Sequence, residues 1–204
     1  MRSLQNIHRQ TSMQTKKLAL VMVLIAISTF PVSSAPDLVA ALSTATNHYE
    51  WARLSREIDK QGVTVGKTNA AAFVRHQLVR LNTAGFKERE AITAEIVALG
   101  PQAMPTLIAA ITNAARPAPI FGDSAVANIP IFSMQLLAKM RSEQAVPALI
   151  DFIDKFETDV ILRGPDGKPQ NQVVSVLTAI TGQDFGTDKS KWRRWYEERQ
   201  SAGK

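Results

Sequence analysis

Metal binding and general-base catalysis both start with histidine, and the chain has three. Outside the first 35 residues only His48 and His76 remain, on separate helical segments, with no cysteine to complete a site. His48-Tyr49-Glu50 holds a His-x-Glu, but residues two apart on a helix point in different directions and cannot converge on one ion. A serine or threonine nucleophile needs a histidine within hydrogen-bond reach and a third group to orient it, and no motif places one. Gly62-Val63-Thr64-Val65-Gly66-Lys67-Thr68 has the composition of a phosphate-cradling loop. Such a loop requires four residues between its glycines and a strand before it. Here three intervene, and the polar helix ending Glu57-Ile58-Asp59-Lys60 precedes them. Asp151 with Asp154, and Glu197 with Glu198, are paired carboxylates at helical spacing, which reads as a solvated face rather than an acid and base pair. The expectation is no catalytic residue, no metal ligand and no cofactor.

The elements around these residues are more informative. Ala103-Met104-Pro105-Thr106-Leu107-Ile108-Ala109-Ala110-Ile111 recurs 42 residues later as Ala145-Val146-Pro147-Ala148-Leu149-Ile150-Asp151-Phe152-Ile153, each run preceded by a short apolar helix and a turn. Self-similarity at such a period marks stacked units, each too small to bury its apolar face alone. Apolar periodicity predicts eight helices over residues 37–62, 69–82, 87–99, 102–113, 130–140, 144–156, 171–180 and 190–199. Leu38, Leu42, Ala45, Tyr49 and Ala52 form the stripe of the first, Asn69 caps the second, and Gly85 closes it. Only Gly100-Pro101 separates the third from the fourth, which predicts an antiparallel hairpin. Pro105 and Pro147 mark helix entrances, where a missing N–H and a fixed φ do least harm. No stretch alternates long enough to demand a sheet. The fold class is all-α, a short solenoid of about four antiparallel helical hairpins.

The first 35 residues read as a secretory signal peptide. Lys16-Lys17 precede an apolar run over residues 18–30, Pro31 breaks it, and Ser33-Ser34-Ala35 supplies small residues for cleavage after Ala35. Met13 gives a more compact leader than Met1. Thirteen apolar residues fall short of the roughly 20 that span a bilayer. Arg2, Arg9, Lys16 and Lys17 leave with this leader and no acid does, so 24 basic and 18 acidic residues become 20 and 18, a balance of +2. The basic character belongs mostly to targeting, and nucleic-acid binding loses its compositional support. Without cysteine, stability in an oxidising compartment must come from packing alone. The remaining 169 residues, 36–204, suffice for one core.

Leu99-Gly100-Pro101-Gln102-Ala103-Met104-Pro105-Thr106-Leu107-Ile108 and the matching run from Met140 to Ile150 resemble the HEAT-type repeat, whose second helix opens Ala-apolar-Pro-x-Leu-Ile. The likeness is best over 87–114 and 130–156 and departs from the family in lacking the Asp of the turn between the two helices. Leu177-Thr178-Ala179-Ile180-Thr181-Gly182-Gln183-Asp184-Phe185-Gly186-Thr187-Asp188, with Trp192 and Trp195 after it, is similar to the closing segment of exported bacterial HEAT-like proteins. The resemblance implies a HEAT-like, armadillo-like superhelix. It also implies a periplasmic or secreted interaction scaffold without catalytic activity, bound to a protein partner and not to nucleic acid or membrane. The alternative is an enzyme or enzyme-accessory subunit, since HEAT-like proteins include helpers of chromophore attachment and a DNA-repair glycosylase group; fold alone does not decide between them.

Two features follow from stacking. Trp192, Trp195 and Tyr196, at i, i+3 and i+4, with Phe185 folded back, form a C-terminal cap over 171–204, while Arg193, Arg194, Glu197 and Glu198 face water. Residues 115–128 and 157–170 interrupt the repeat between units, the second including an extended excursion at Val160-Ile161-Leu162. Insertions on one edge of a stack build binding surfaces. Arg116, Ile120, Phe121, Asp123, Arg163, Asp166 and Lys168 are therefore the expected partner-binding residues.

Overall fold

A computed structural model describes residues 34–114, 126, 128–156 and 171–202. Residues 1–33 of the leader, the inter-unit segments except Val126 and Asn128, and all seven expected partner-binding residues lie outside the described residues. Among those described there are nine α-helices, three 3-10 segments and no strand, so the all-α expectation holds. The helices are α1 Ala35–Thr44, α2 His48–Lys60, α3 Ala70–Arg80, α4 Phe86–Ala98, α5 Met104–Thr112, α6 Ile129–Met140, α7 Val146–Phe152, α8 Gln172–Thr181 and α9 Lys189–Ala202. None is long and apolar enough by itself to cross a membrane.

The single first helix expected over 37–62 is two. Asn47 takes extended backbone (φ −122°, ψ 153°), and its side chain accepts the Glu50 N–H at 2.9 Å, so α2 restarts with its own N-cap. The restart shifts the helical phase. Leu38, Leu42, Ala45 and Ala52 are buried as expected, but Tyr49 is 55% exposed and Trp51 takes the inward position. Helix α2 ends in a Schellman turn: Gly62 has φ +65°, and the Val63 N–H reaches back to the Ile58 carbonyl at 3.0 Å. Asn69 caps α3 by accepting the Ala72 N–H at 3.1 Å. Gly85 does not close that helix, whose C-cap is Leu81; it stands at the N-cap of α4 instead.

The duplicated sequence is duplicated structure. In each copy a helix runs into a 3-10 turn, Gly100–Ala103 or Glu143–Ala145, and the next helix carries proline as its second residue. Burial keeps the 42-residue register: Ala103 with Ala145, Leu107 with Leu149 and Ile111 with Ile153 are all fully buried. The turns differ in one detail. Gly100 takes the left-handed conformation in the first copy, but in the second it is taken by Arg141 (φ 48°), 41 residues on and one place out of that register. A side chain there is strained by about 1–2 kcal/mol, and Arg141 is exposed. Arg141→Gly should therefore raise stability by about 0.5–1 kcal/mol after the extra chain entropy of glycine is subtracted. A higher urea midpoint at unchanged slope is the expected result.

The expected antiparallel reversal at Gly100-Pro101 is incomplete. The chain direction turns by 105° between Phe86–Ala98 and Gly100–Thr112. The 3-10 segment takes up the residues between the helices, which leaves the chain able to turn but not to double back. Helix α5 packs chiefly on α6, which also receives α4 and α8, and α7 in turn meets α5, α8 and α9. At the other end α1 lies against α2 and α3. One cluster of buried apolar side chains runs from Leu38 to Trp192.

Candidate functional site

Three places in this core combine polar chemistry with shape. The first joins α1, α2 and α3. The Trp51 ring is fully buried, its Nε1–H donates to the Ala45 carbonyl at 2.9 Å, and the Arg75 guanidinium lies 5.2 Å from its centroid. Arg75 also donates to the Leu42 carbonyl at 2.9 Å and to that of Ser43, so it satisfies the last carbonyls of α1. A cation at a helix C-terminus is favoured by the macrodipole as well. The His48 ring sits 4.8 Å from that of Trp51, tilted by 59°. Burial pulls the His48 pKa down to about 4, only partly offset by a hydrogen bond to the Ala110 backbone. His76 lies one residue beyond Arg75, with Nε2 3.4 Å from an Asp59 carboxylate oxygen. Burial lowers its pKa too; Asp59 opposes that shift and Arg80 adds to it.

Nearby pairs close the outer surface of the same layer. Arg80 meets Glu88 at 2.6 Å, and Glu95 receives Gln77 at 3.2 Å and Lys67 at 3.6 Å. These groups join α3, the loop before it and α4, and are matched in charge. The arrangement clamps helices. Among the described residues no group of three or more His, Asp or Glu could hold a metal ion. The Gly62 to Thr68 segment follows helix α2 and lies in a loop, without the strand that phosphate cradling requires.

The second place is the base of the segment 157–170. Asn171 caps α8 by accepting the Val173 and Val174 N–H groups at 3.0 and 3.3 Å, and its Nδ2 donates to the Ile153 carbonyl at 3.2 Å. The two flanks of the segment are thus tied together. A cavity of about 650 Å³ opens beside this tie, lined by Asn171, Val174, Ser175, Thr178, Asp184, Gly186 and Thr187. Its polar atoms are largely committed: Asn171 as described, and Asp184 to the Gly186 N–H at 2.9 Å. That economy suits a structural corner better than a ligand site.

The third place is the paired turns. Gly100, Pro101 and Met104 of the first copy and Met140, Ser142, Glu143 and Gln144 of the second line one cleft of about 300 Å³. Its single carboxylate is already held by Arg199 in a fork with distances of 2.7 and 3.2 Å.

Sequence reasoning missed how α9 is attached. Asp151 and Asp154, read as a solvated face, are ion-paired across to α9: Arg193 meets Asp151 at 2.8 Å, and Lys189 meets Asp154 while donating to the Asp151 carbonyl at 3.3 Å. With Arg199 on Glu143 this makes a polar strap along α9. Cations spaced four apart opposite carboxylates spaced three apart were the available signal, but nothing local says the two helices meet. Such exposed pairs contribute about 0–1 kcal/mol each and mainly fix orientation. Glu197 and Glu198 do face water, as do Arg193 and Arg194.

The aromatic residues of α9 do the capping. Trp192 is fully buried, donates Nε1–H to the Gly186 carbonyl at 2.8 Å, and meets Phe185 edge-on at 4.9 Å. Trp195 packs against it at 6.4 Å. Asp188 opens the helix by accepting the Lys191 N–H at 3.1 Å, and Gly182 (φ +73°) ends the one before. Comparison with protein-family models, with curated proteins and with solved structures gives no significant match.

Proposed function

We propose that the mature chain is an exported, HEAT-like scaffold of stacked two-helix units, without catalytic activity of its own. It binds a protein partner through the segments that interrupt its repeat. The observation that supports this most is the paired register of the two copies. Side chains that match in sequence are spent on one core, so the repeat is committed to packing, and the inter-unit segments are the parts left for recognition. The tie between Ile153 and Asn171 supports it further, since a hydrogen bond joins the two flanks of the 14-residue interruption 157–170. Arg116, Ile120, Phe121, Asp123, Arg163, Asp166 and Lys168 offer both charges and an aromatic anchor, a mixture suited to a protein surface. The signal peptide puts the activity in the periplasm or outside the cell.

The test replaces residues 163–168 with a glycine-serine linker of equal length and compares affinity capture from a periplasmic extract with that of the intact mature chain. The expected result is loss of a partner that the intact chain retains, at an unchanged melting temperature. An identical set of captured proteins contradicts the proposal.

A further inference from the structure

The two histidines outside the leader sit in one layer, at the contact of α2 with its neighbours. His48 is the first residue of α2, where the positive end of the helix dipole disfavours a second cation. It is 8% exposed, and its Nε2 is buried without a hydrogen-bond partner. The groups around it offer a proton no anion. Helix α3 contributes the Arg75 guanidinium, which contacts the same Trp51 ring, α5 presents the Ala110 backbone and carries no charged side chain, and the one acid of α1, Asp37, is exposed in its first turn. His76 on α3 is 7% exposed with Nδ1 buried and unpartnered, and it faces one anion, Asp59 of α2, against Arg80 of its own helix. Arg75, between them, already brings one cation into the layer that holds the end of α1.

We propose that this layer is an acid-operated release: protonation of His48, seconded by His76, frees α1 and the start of α2 from α3 and α5, while the α7 to α9 end stays packed. A proton on either imidazole must be stripped of water or must open its surroundings. Opening is the cheaper route here because α1 is a short end helix adjoining a break at Ala45 to Asn47. It is held at that break by Arg75 and by the Trp51 ring on which His48 rests. The sign is fixed. The released form takes up a proton near the ordinary histidine value of about 6.5, whereas the packed form resists it, so release grows as pH falls below about 6.5 and is absent above it. The C-terminal half has no histidine and no other side chain that ordinarily titrates between pH 5 and 7. The response is therefore confined to one end of the chain. It is independent of the partner-binding proposal, which places its segments elsewhere.

Hydrogen exchange of the mature chain at pH 7.5 and 5.0, corrected for intrinsic rates, reads this directly. Protection of peptides covering 37–60 should fall by roughly tenfold or more at pH 5.0, and that of peptides covering 172–202 should stay within about twofold. His48→Phe with His76→Gln, which keeps a ring against Trp51 but cannot titrate, should abolish the difference between the two pH values. Equal loss at both ends, no loss at residues 37–60, or a loss that persists in the double variant overturns the proposal. Should the double variant not fold, an NMR titration of the intact chain decides. His48 must then titrate well below 6.5, and titration at or above 6.5 overturns the release.

Discussion

Trp51→Ala lowers the unfolding free energy by about 3–5 kcal/mol, the cost of emptying a fully buried large aromatic site. The expected value lies at the upper end because three other groups depend on the ring. The Ala45 carbonyl loses the indole N–H at the break between α1 and α2, His48 loses the tilted ring it packs against, and the Arg75 guanidinium loses the face it rests on. A buried acceptor left without its donor costs about 1–3 kcal/mol by itself. Trp51→Phe separates the contributions: it keeps most of the packing and loses the hydrogen bond, so it should cost about 1–3 kcal/mol. Urea unfolding of both variants checks the order. A loss below about 1 kcal/mol for the alanine variant contradicts the packing described for α1 to α3.

Trp192→Ala should cost a similar 3–5 kcal/mol, for a different reason. Trp192 joins the core, and α9 offers no other fully buried side chain. Phe185 and Trp195 both meet the Trp192 ring edge-on, and its N–H holds the Gly186 carbonyl, so its removal leaves α9 attached mainly by the ion pairs of Lys189, Arg193 and Arg199. Those pairs weaken with salt. The variant should consequently lose further stability between low and 1 M sodium chloride, in a way the intact chain does not. An unchanged melting temperature for Trp192→Ala contradicts the cap.

The core of the repeat was legible because its information is local. Ala103, Leu107 and Ile111 announce a buried face by spacing, and their counterparts at Ala145, Leu149 and Ile153 announce it again, so burial in register could be read without knowing any partner helix. The cap at Asn69 was legible for the same reason. The break before α2 was not, because a lone Asn47 inside a helical pattern is a weak punctuation mark. It becomes a cap only when Trp51 and Arg75 satisfy the carbonyls released by the break, and Arg75 comes from 28 residues further on. Gly85 was assigned to the wrong helix because glycine serves either end of a connection, and Leu81 had already ended α3. The 105° turn escaped the antiparallel reading because loop length fixes proximity but not direction once a 3-10 segment fills the loop. Of the candidate surface, Asp151 and Asp154 were read as a solvated face and are exposed, but their pairing was not legible, since their partners lie on α9, between 35 and 42 residues away.

We propose a division of labour, with the repeat committed to packing and the inter-unit segments to recognition. The most direct measurement places a photo-crosslinking amino acid at Phe121, at Arg163 and, as a control, at Glu197 on the outer face of α9, in the mature chain expressed in its own compartment. The expected result is a shared crosslinked protein at positions 121 and 163 and none at position 197. Crosslinks to a partner at position 197 with none at positions 121 and 163 would contradict it.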